Sequence, residues 1–277
     1  MSPNSKTRIR RFSPLQRLFH LLLILCFMTQ ASTGLARMYI ETVWGQRLAW
    51  VFGGYTPSRT VHIYVGIFMI CIFALHILYM LSKINWRKFP GSLFGPDSML
   101  PQPRDLKESI QHFGWLLGMA KAPRFDRWGY WEKFDYIGVC WGMCLLGATG
   151  LLLAYPLVAS RIMPGWGLNV AFWVHKIEAI LAMGHVFIIH FFIAHLRPHA
   201  FPMDRSMFEG SVDLAATHHE KPDWVARLEE TGKLESVLVP EAPGWRRAFH
   251  YVFGYCAVAL GIFLLIGALV NSLSITW

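Results

Sequence analysis

Apolar and polar positions along this 277-residue chain separate into five long hydrophobic runs and two long polar stretches. The runs cover about 15–36, 59–82, 134–155, 168–196 and 250–273. Each approaches or exceeds the roughly 20 residues that an α-helix needs to cross a hydrocarbon layer about 30 Å thick. Pro156 follows the third run and Pro198 the fourth, where a residue without an amide hydrogen stops a helix. The polar stretches span 83–133, which holds Pro90, Pro96, Pro101, Pro103 and Pro123, and 197–247, which holds a predicted short helix over 222–231. Neither carries the apolar periodicity expected of a separate folded domain, and both read as docking surface for a partner subunit. No internal repeat is evident. The pattern predicts an all-α integral membrane protein, a bundle of five transmembrane helices. Its parts are a four-helix membrane domain over 1–200, a polar segment over 201–247 and an additional C-terminal helix over 248–277.

Composition sharpens this picture. The chain is 54% hydrophobic and 15% aromatic, so its +9 formal charge does not point to nucleic acid. Lys and Arg number 5, 9 and 7 in residues 1–17, 83–133 and 197–247, against 5 in all the remainder. Such asymmetry places those three segments on the cytoplasmic side, with the N-terminus inside and the C-terminus outside. A multi-pass protein of a bacterial inner (cytoplasmic) membrane is the expectation. The basic start before the first run resembles a signal peptide, but no A-x-A site follows it, and a retained first helix is expected. Cys26, Cys71, Cys140, Cys144 and Cys256 all lie in apolar stretches, and no C-x-x-C-H haem-attachment motif occurs. They read as buried thiols.

Histidines carry the chemistry. His20, His62, His76, His175, His185 and His190 all fall inside apolar runs, where an ionisable group is costly and marks a functional site. His62 and His76 stand 14 residues apart on the second helix, His175 and His190 15 apart on the fourth. These steps span roughly 21–22 Å of helix, so each helix offers one histidine near each membrane face. Neutral imidazole is a good haem-iron ligand, and the arrangement reads as two haems stacked across the bilayer. His62 with His175 forms the outer pair. His20, His76 and His190 compete at the inner level, with His195 and His199 at the interface. Arg17, one turn before His20, is placed to reach a haem propionate. Gly66, Gly147, Gly150 and Gly184 offer close approach. Zinc would call for tighter clusters with cysteine or carboxylate.

These residues resemble the cytochrome b (gamma) subunits of respiratory formate dehydrogenase, within the wider group that includes hydrogenase and thiosulfate reductase cytochromes b. The likeness covers roughly residues 8–231. It rests on Arg17-x-x-His20, His62, Tyr130-Trp131-Glu132-Lys133, Thr149-Gly150, His175, Phe208-Glu209-Gly210 and His218-His219. Its most specific part is the block from His190 through His195 to Pro198, with Phe201-Pro202-Met203-Asp204. The resemblance implies that the first four helices form a di-haem cytochrome b bundle. His62 and His175 would hold the outer haem b, His20 and His190 the inner one. It implies a quinone, menaquinone or ubiquinone, near the inner haem. It also implies an iron–sulfur or multihaem cytochrome c subunit with a catalytic subunit as partners. The family's asparagine near the quinone corresponds to Gly129 here. His76 is extra; it replaces His20, supports a third haem or makes a hydrogen bond. The fifth helix is also additional.

Quinone chemistry needs protons, for which Glu132, Asp135, His112 and His195 are candidates. Lys176 and Glu178 flank His175. Two rival classes remain: a haem-free membrane anchor with structural histidines, and a proton-coupled transporter with a histidine relay. No Rossmann, P-loop or zinc signature suggests a self-contained dehydrogenase.

Overall fold

The computed structural model describes residues 7–197 and 200–274. Five helices are long and apolar enough to cross a membrane: Pro14–Met38, Tyr55–Ser82, Tyr130–Ala154, Gly165–Leu196 and Gly244–Val270. The predicted runs match them, but four of the five start several residues earlier than hydropathy suggests. Polar capping explains the displacement at the third span. There the Gly129 amide donates to Glu132 Oε2 at 2.8 Å, so the helix opens on a charged turn. The first span carries a capping box at its own start. The Ser13 amide donates to Gln16 Oε1 at 2.9 Å and the Gln16 amide to Ser13 Oγ at 3.3 Å, with Pro14 in the first helical position.

The chain divides into two compact units. One comprises residues 18–78, 140–197, 200–204 and 249–274, most of the hydrophobic chain. Its core joins Met28, Ala31, Leu35, Ala36 and Tyr39 of the first span to Leu48 and Ala49 of a short helix, Val43–Val51. Phe187 and Phe191 of the fourth span and Leu264 of the fifth complete it. The fifth span is therefore part of the core rather than an appendage. Tyr39 Oη donates to the Ala268 carbonyl at 2.8 Å. A Cβ on Gly261 would lie 2.6 Å from the Phe191 ring, so that glycine is what lets the two spans meet. Tyr64, Phe68, Leu75, Leu78 and Trp141 point outward, as lipid-facing positions do. Only Cys26 of the five cysteines is buried, a correction to the expectation for all of them.

The other unit gathers residues 7–17, 79–139 and 205–248. The polar stretches thus fold together with the N-terminal residues, against the expectation that they lack a fold of their own. A three-stranded antiparallel sheet also departs from a purely helical chain. Strand β1 (Arg8–Arg10) lies between β2 (Ser211–Asp213) and β3 (Leu238–Val239), with Ile9 opposite Val212 and Leu238. Ile9 is fully buried against Trp224, Val225 and Leu228 of the helix Pro222–Glu230. Gly210 adopts φ +81°, and its carbonyl accepts from the Arg11 and Phe12 amides at 2.8 and 3.0 Å. A Cβ there would meet the Phe12 carbonyl oxygen at 2.9 Å, which accounts for the glycine in Phe208-Glu209-Gly210.

Ion pairs supply what the small apolar core does not. Glu132 accepts from Arg11 at 2.8 Å and from Lys221 at 2.6 Å, both largely buried. Lys133 pairs with Asp105 at 2.9 Å. Arg227 bridges Asp97 at 3.0 Å and Asp126 at 2.8 Å. The Arg11 guanidinium also lies 4.7 Å from the Trp128 ring centre. Removing one member of such a buried set strands its partners. Glu132→Ala is expected to cost about 3–5 kcal/mol of the stability of this unit. The check is faster hydrogen exchange confined to residues 8–13, 129–133 and 211–228.

Burial works to raise the Asp97 carboxyl, but the hydrogen bond from Arg227 and the charges of Arg127 and Arg227 hold it below its ordinary value. A carboxyl depressed in the fold contributes stability above its unfolded value and loses it as pH falls through the folded one. Acid unfolding of this unit therefore begins as pH drops below about 4. Asp97→Asn is expected to flatten that acid limb in a pH series of thermal melts while leaving the alkaline side unchanged.

Candidate functional site

Four intramembrane histidines come together as two pairs. The His62 and His175 ring centres are 6.3 Å apart, on the second and fourth spans. The His20 and His190 ring centres are also 6.3 Å apart, on the first and fourth. A metal–imidazole bond of about 2.0–2.1 Å, plus roughly 1.2 Å from nitrogen to ring centre on each side, would separate two imidazoles on one metal by roughly 6.4–6.6 Å. Both pairs match the spacing of two imidazoles on one iron. Thirteen residues separate His20 from Thr33, the first-span contact of His62. That step puts the pairs roughly 20 Å apart along the helix axis.

The His62–His175 pair is built with the same device on each side. Thr33 Oγ1 lies 2.9 Å from His62 Nδ1, and Thr149 Oγ1 lies 2.9 Å from His175 Nδ1. Each threonine is followed by glycine. A Cβ on Gly34 would meet His62 Cε1 at 3.4 Å, and one on Gly150 would meet His175 Cε1 at 3.2 Å. Gln30 Nε2 donates to the His62 carbonyl at 2.8 Å and fills the space beside Gly66. Gly66 therefore admits Gln30. Gly147 lies against Ile70, while nothing stands within 4 Å of a Cβ at Gly184. Arg37 stands one turn beyond Thr33 on the first span.

Residues 11–210 match the family model of the prokaryotic cytochrome b561. The chain belongs to the prokaryotic cytochrome b561 family. No curated protein matches it. This cytochrome is thus a multi-pass, helical membrane protein of electron transfer, of a family that implies haem b. The family agrees with the resemblance to cytochrome b subunits of respiratory oxidoreductases. The match ends before the fifth span.

The second half of the cytochrome's fourth span departs from α geometry. His185–His190 and Phe192–Leu196 wind as π-helix, with i→i+5 hydrogen bonds. His190 closes the first of these segments. His76 packs edge-on to Phe19 with ring centres 5.3 Å apart. Arg17 lies with the polar residues, its Cδ 3.0 Å from where a Gly210 Cβ would be. Pro198 and His199 fall outside the described residues.

Candidate proton donors fare differently. Glu132 is held by Arg11, Lys221 and the Gly129 amide, which makes it a brace and revises the expectation of a proton carrier. His112 Nδ1 lies 3.1 Å from Tyr130 Oη within a nest of Phe125, Trp115 and Trp131, and burial pulls it below its usual value. His195 stands 5.9 Å from the Phe191 ring on the π-wound segment. Glu178, one turn past His175, reaches within 3.5 Å of a Cβ at Gly142 on the third span. Sequence reading passed over Thr33, Gln30 and Arg37. The available signal was the Thr-Gly dipeptide, present at 33–34 as well as at 149–150.

Proposed function

We propose that this cytochrome carries electrons across the bilayer between a partner redox subunit and the quinone pool, using two haems b. His62 and His175 hold one, near the outer face. His20 and His190 hold the other, near the cytoplasmic face, where the quinone, menaquinone or ubiquinone, exchanges electrons. The observation that supports this reading is the equal ring separation of the two pairs, 6.3 Å in each. Haem b supplies a one-electron iron couple when bound. The protein's share is to present two imidazoles per iron, leaving no open coordination position for oxygen. Arg37, one turn beyond Thr33, and Arg17, one turn before His20, would offer a cation for a propionate at each level. The partner is an iron–sulfur or multihaem cytochrome c subunit joined to a catalytic subunit. The N-terminus lies in the cytoplasm, by the distribution of Lys and Arg.

A haem-free anchor gives no reason for two pairs of rings at one ligand-like distance. A transporter would gather its polar groups at the bilayer midplane along broken helices. The pyridine haemochrome assay on purified protein decides among them. Two haems b per chain are expected, falling to one in His175→Ala and in His20→Ala, and staying at two in His76→Ala. Three haems would bring His76 in as a ligand. None, in folded protein purified with its partners, would overturn the reading.

A further inference from the structure

We propose that Thr33 and Thr149 are matched positioning residues that fix which nitrogen of His62 and His175 faces the iron, and thereby lower the potential of that haem. This rests on the ligand assignment proposed above. A threonine hydroxyl has one hydrogen and two lone pairs. Thr33 Oγ1 donates that hydrogen to the Thr29 carbonyl at 2.7 Å. Thr149 Oγ1 donates its own to the Leu145 carbonyl at 2.7 Å. At such distances the hydrogen must sit between the two oxygens, because a carbonyl offers none. Toward the histidines each hydroxyl has only a lone pair left. The 2.9 Å contacts therefore run from Nδ1–H of His62 and of His175 to threonine oxygen. Both rings are held in the Nδ1–H tautomer, with the Nε2 lone pair free for a metal.

The following glycine completes the clasp. Gly34 and Gly150 carry nothing where a side chain would press on the Cε1 edge at 3.4 and 3.2 Å. The dipeptide thus both seats the ring and orders its protons. It does so once from the first span toward the second and once from the third toward the fourth. A hydrogen bond from the distal N–H makes an imidazole more basic, and a more basic ligand favours ferric over ferrous iron.

The test is a redox titration of the intact, purified cytochrome, followed in the haem absorbance bands and by low-temperature EPR. Thr33→Val keeps the shape of threonine and removes the acceptor. It is expected to retain both haems and shift one of them toward the reduced form, roughly three- to tenfold in the reduced-to-oxidised ratio at fixed ambient potential. Thr149→Val is expected to move the same haem, and the double variant to move it further. The other haem should not move. Thr33→Ser and Thr149→Ser, which restore the acceptor, should return the potential, and Thr33→Ala and Thr149→Ala, which lack it, take the place of a valine variant that does not fold. Unchanged potential and EPR spectrum in folded valine variants would overturn the proposal, as would an equal shift of both haems. His62→Ala separates this from the underlying assignment. If His62→Ala keeps both haems, the assignment fails. If it loses one while Thr33→Val leaves the potential alone, only the threonine role fails.

Discussion

An imidazole in hydrocarbon must find a partner for each of its nitrogens, since no water is there to supply one. That demand organises the membrane unit. His62 and His175 each pass one nitrogen to a threonine on the neighbouring span and turn the rest of the ring toward each other. The first and third spans are thereby bound to the second and fourth by polar contacts rather than by apolar burial. Lipid tails are as apolar as leucine, so such contacts and close backbone approach are the forces that distinguish one helix pairing from another. The Thr-Gly pairs supply both at once.

The five spans were legible because hydrocarbon thickness is a length filter that composition reveals directly. The polar unit was not. Its sheet pairs Ile9 with Val212 and Leu238, residues about two hundred positions away, in strands of two or three residues that show no alternation. Its ion pairs join Arg11 to Glu132 and Glu132 to Lys221, and nothing in the local sequence announces such partners. Long-range pairing of charges leaves no periodic trace. The histidine spacing indicated two levels along the helices. It did not tell which of His20, His76 and His190 face each other, because depth comes from counting residues while facing comes from helix rotation. The structure sets His20 against His190 and His76 against Phe19. Thr33 escaped notice for a simpler reason: threonine in a membrane helix most often bonds its own backbone, and this one does so while also holding a ring.

The fifth span shows that a family's boundary need not be a structural one. The family match stops at residue 210. Yet Leu264 is fully buried with Leu35 and Ala36 of the first span, and Gly261 admits Phe187 and Phe191 of the fourth. The His20–His190 pair is carried by those same two helices.

The π-wound stretch of the fourth span has a consequence for how this protein can change over generations. An α-helix turns about 100° per residue, so a single inserted or deleted residue swings everything beyond it to another face. A π segment absorbs one surplus residue without that swing. Between His175 and His190 the fourth span has one residue more than the second has between His62 and His76. The π winding over His185–His190 falls within that interval. Sequence drift through this stretch is therefore tolerant of a one-residue loss as well as of a change of identity. Losing Ile188 or Ile189 lets the segment relax to α winding with His190 still on the face toward His20.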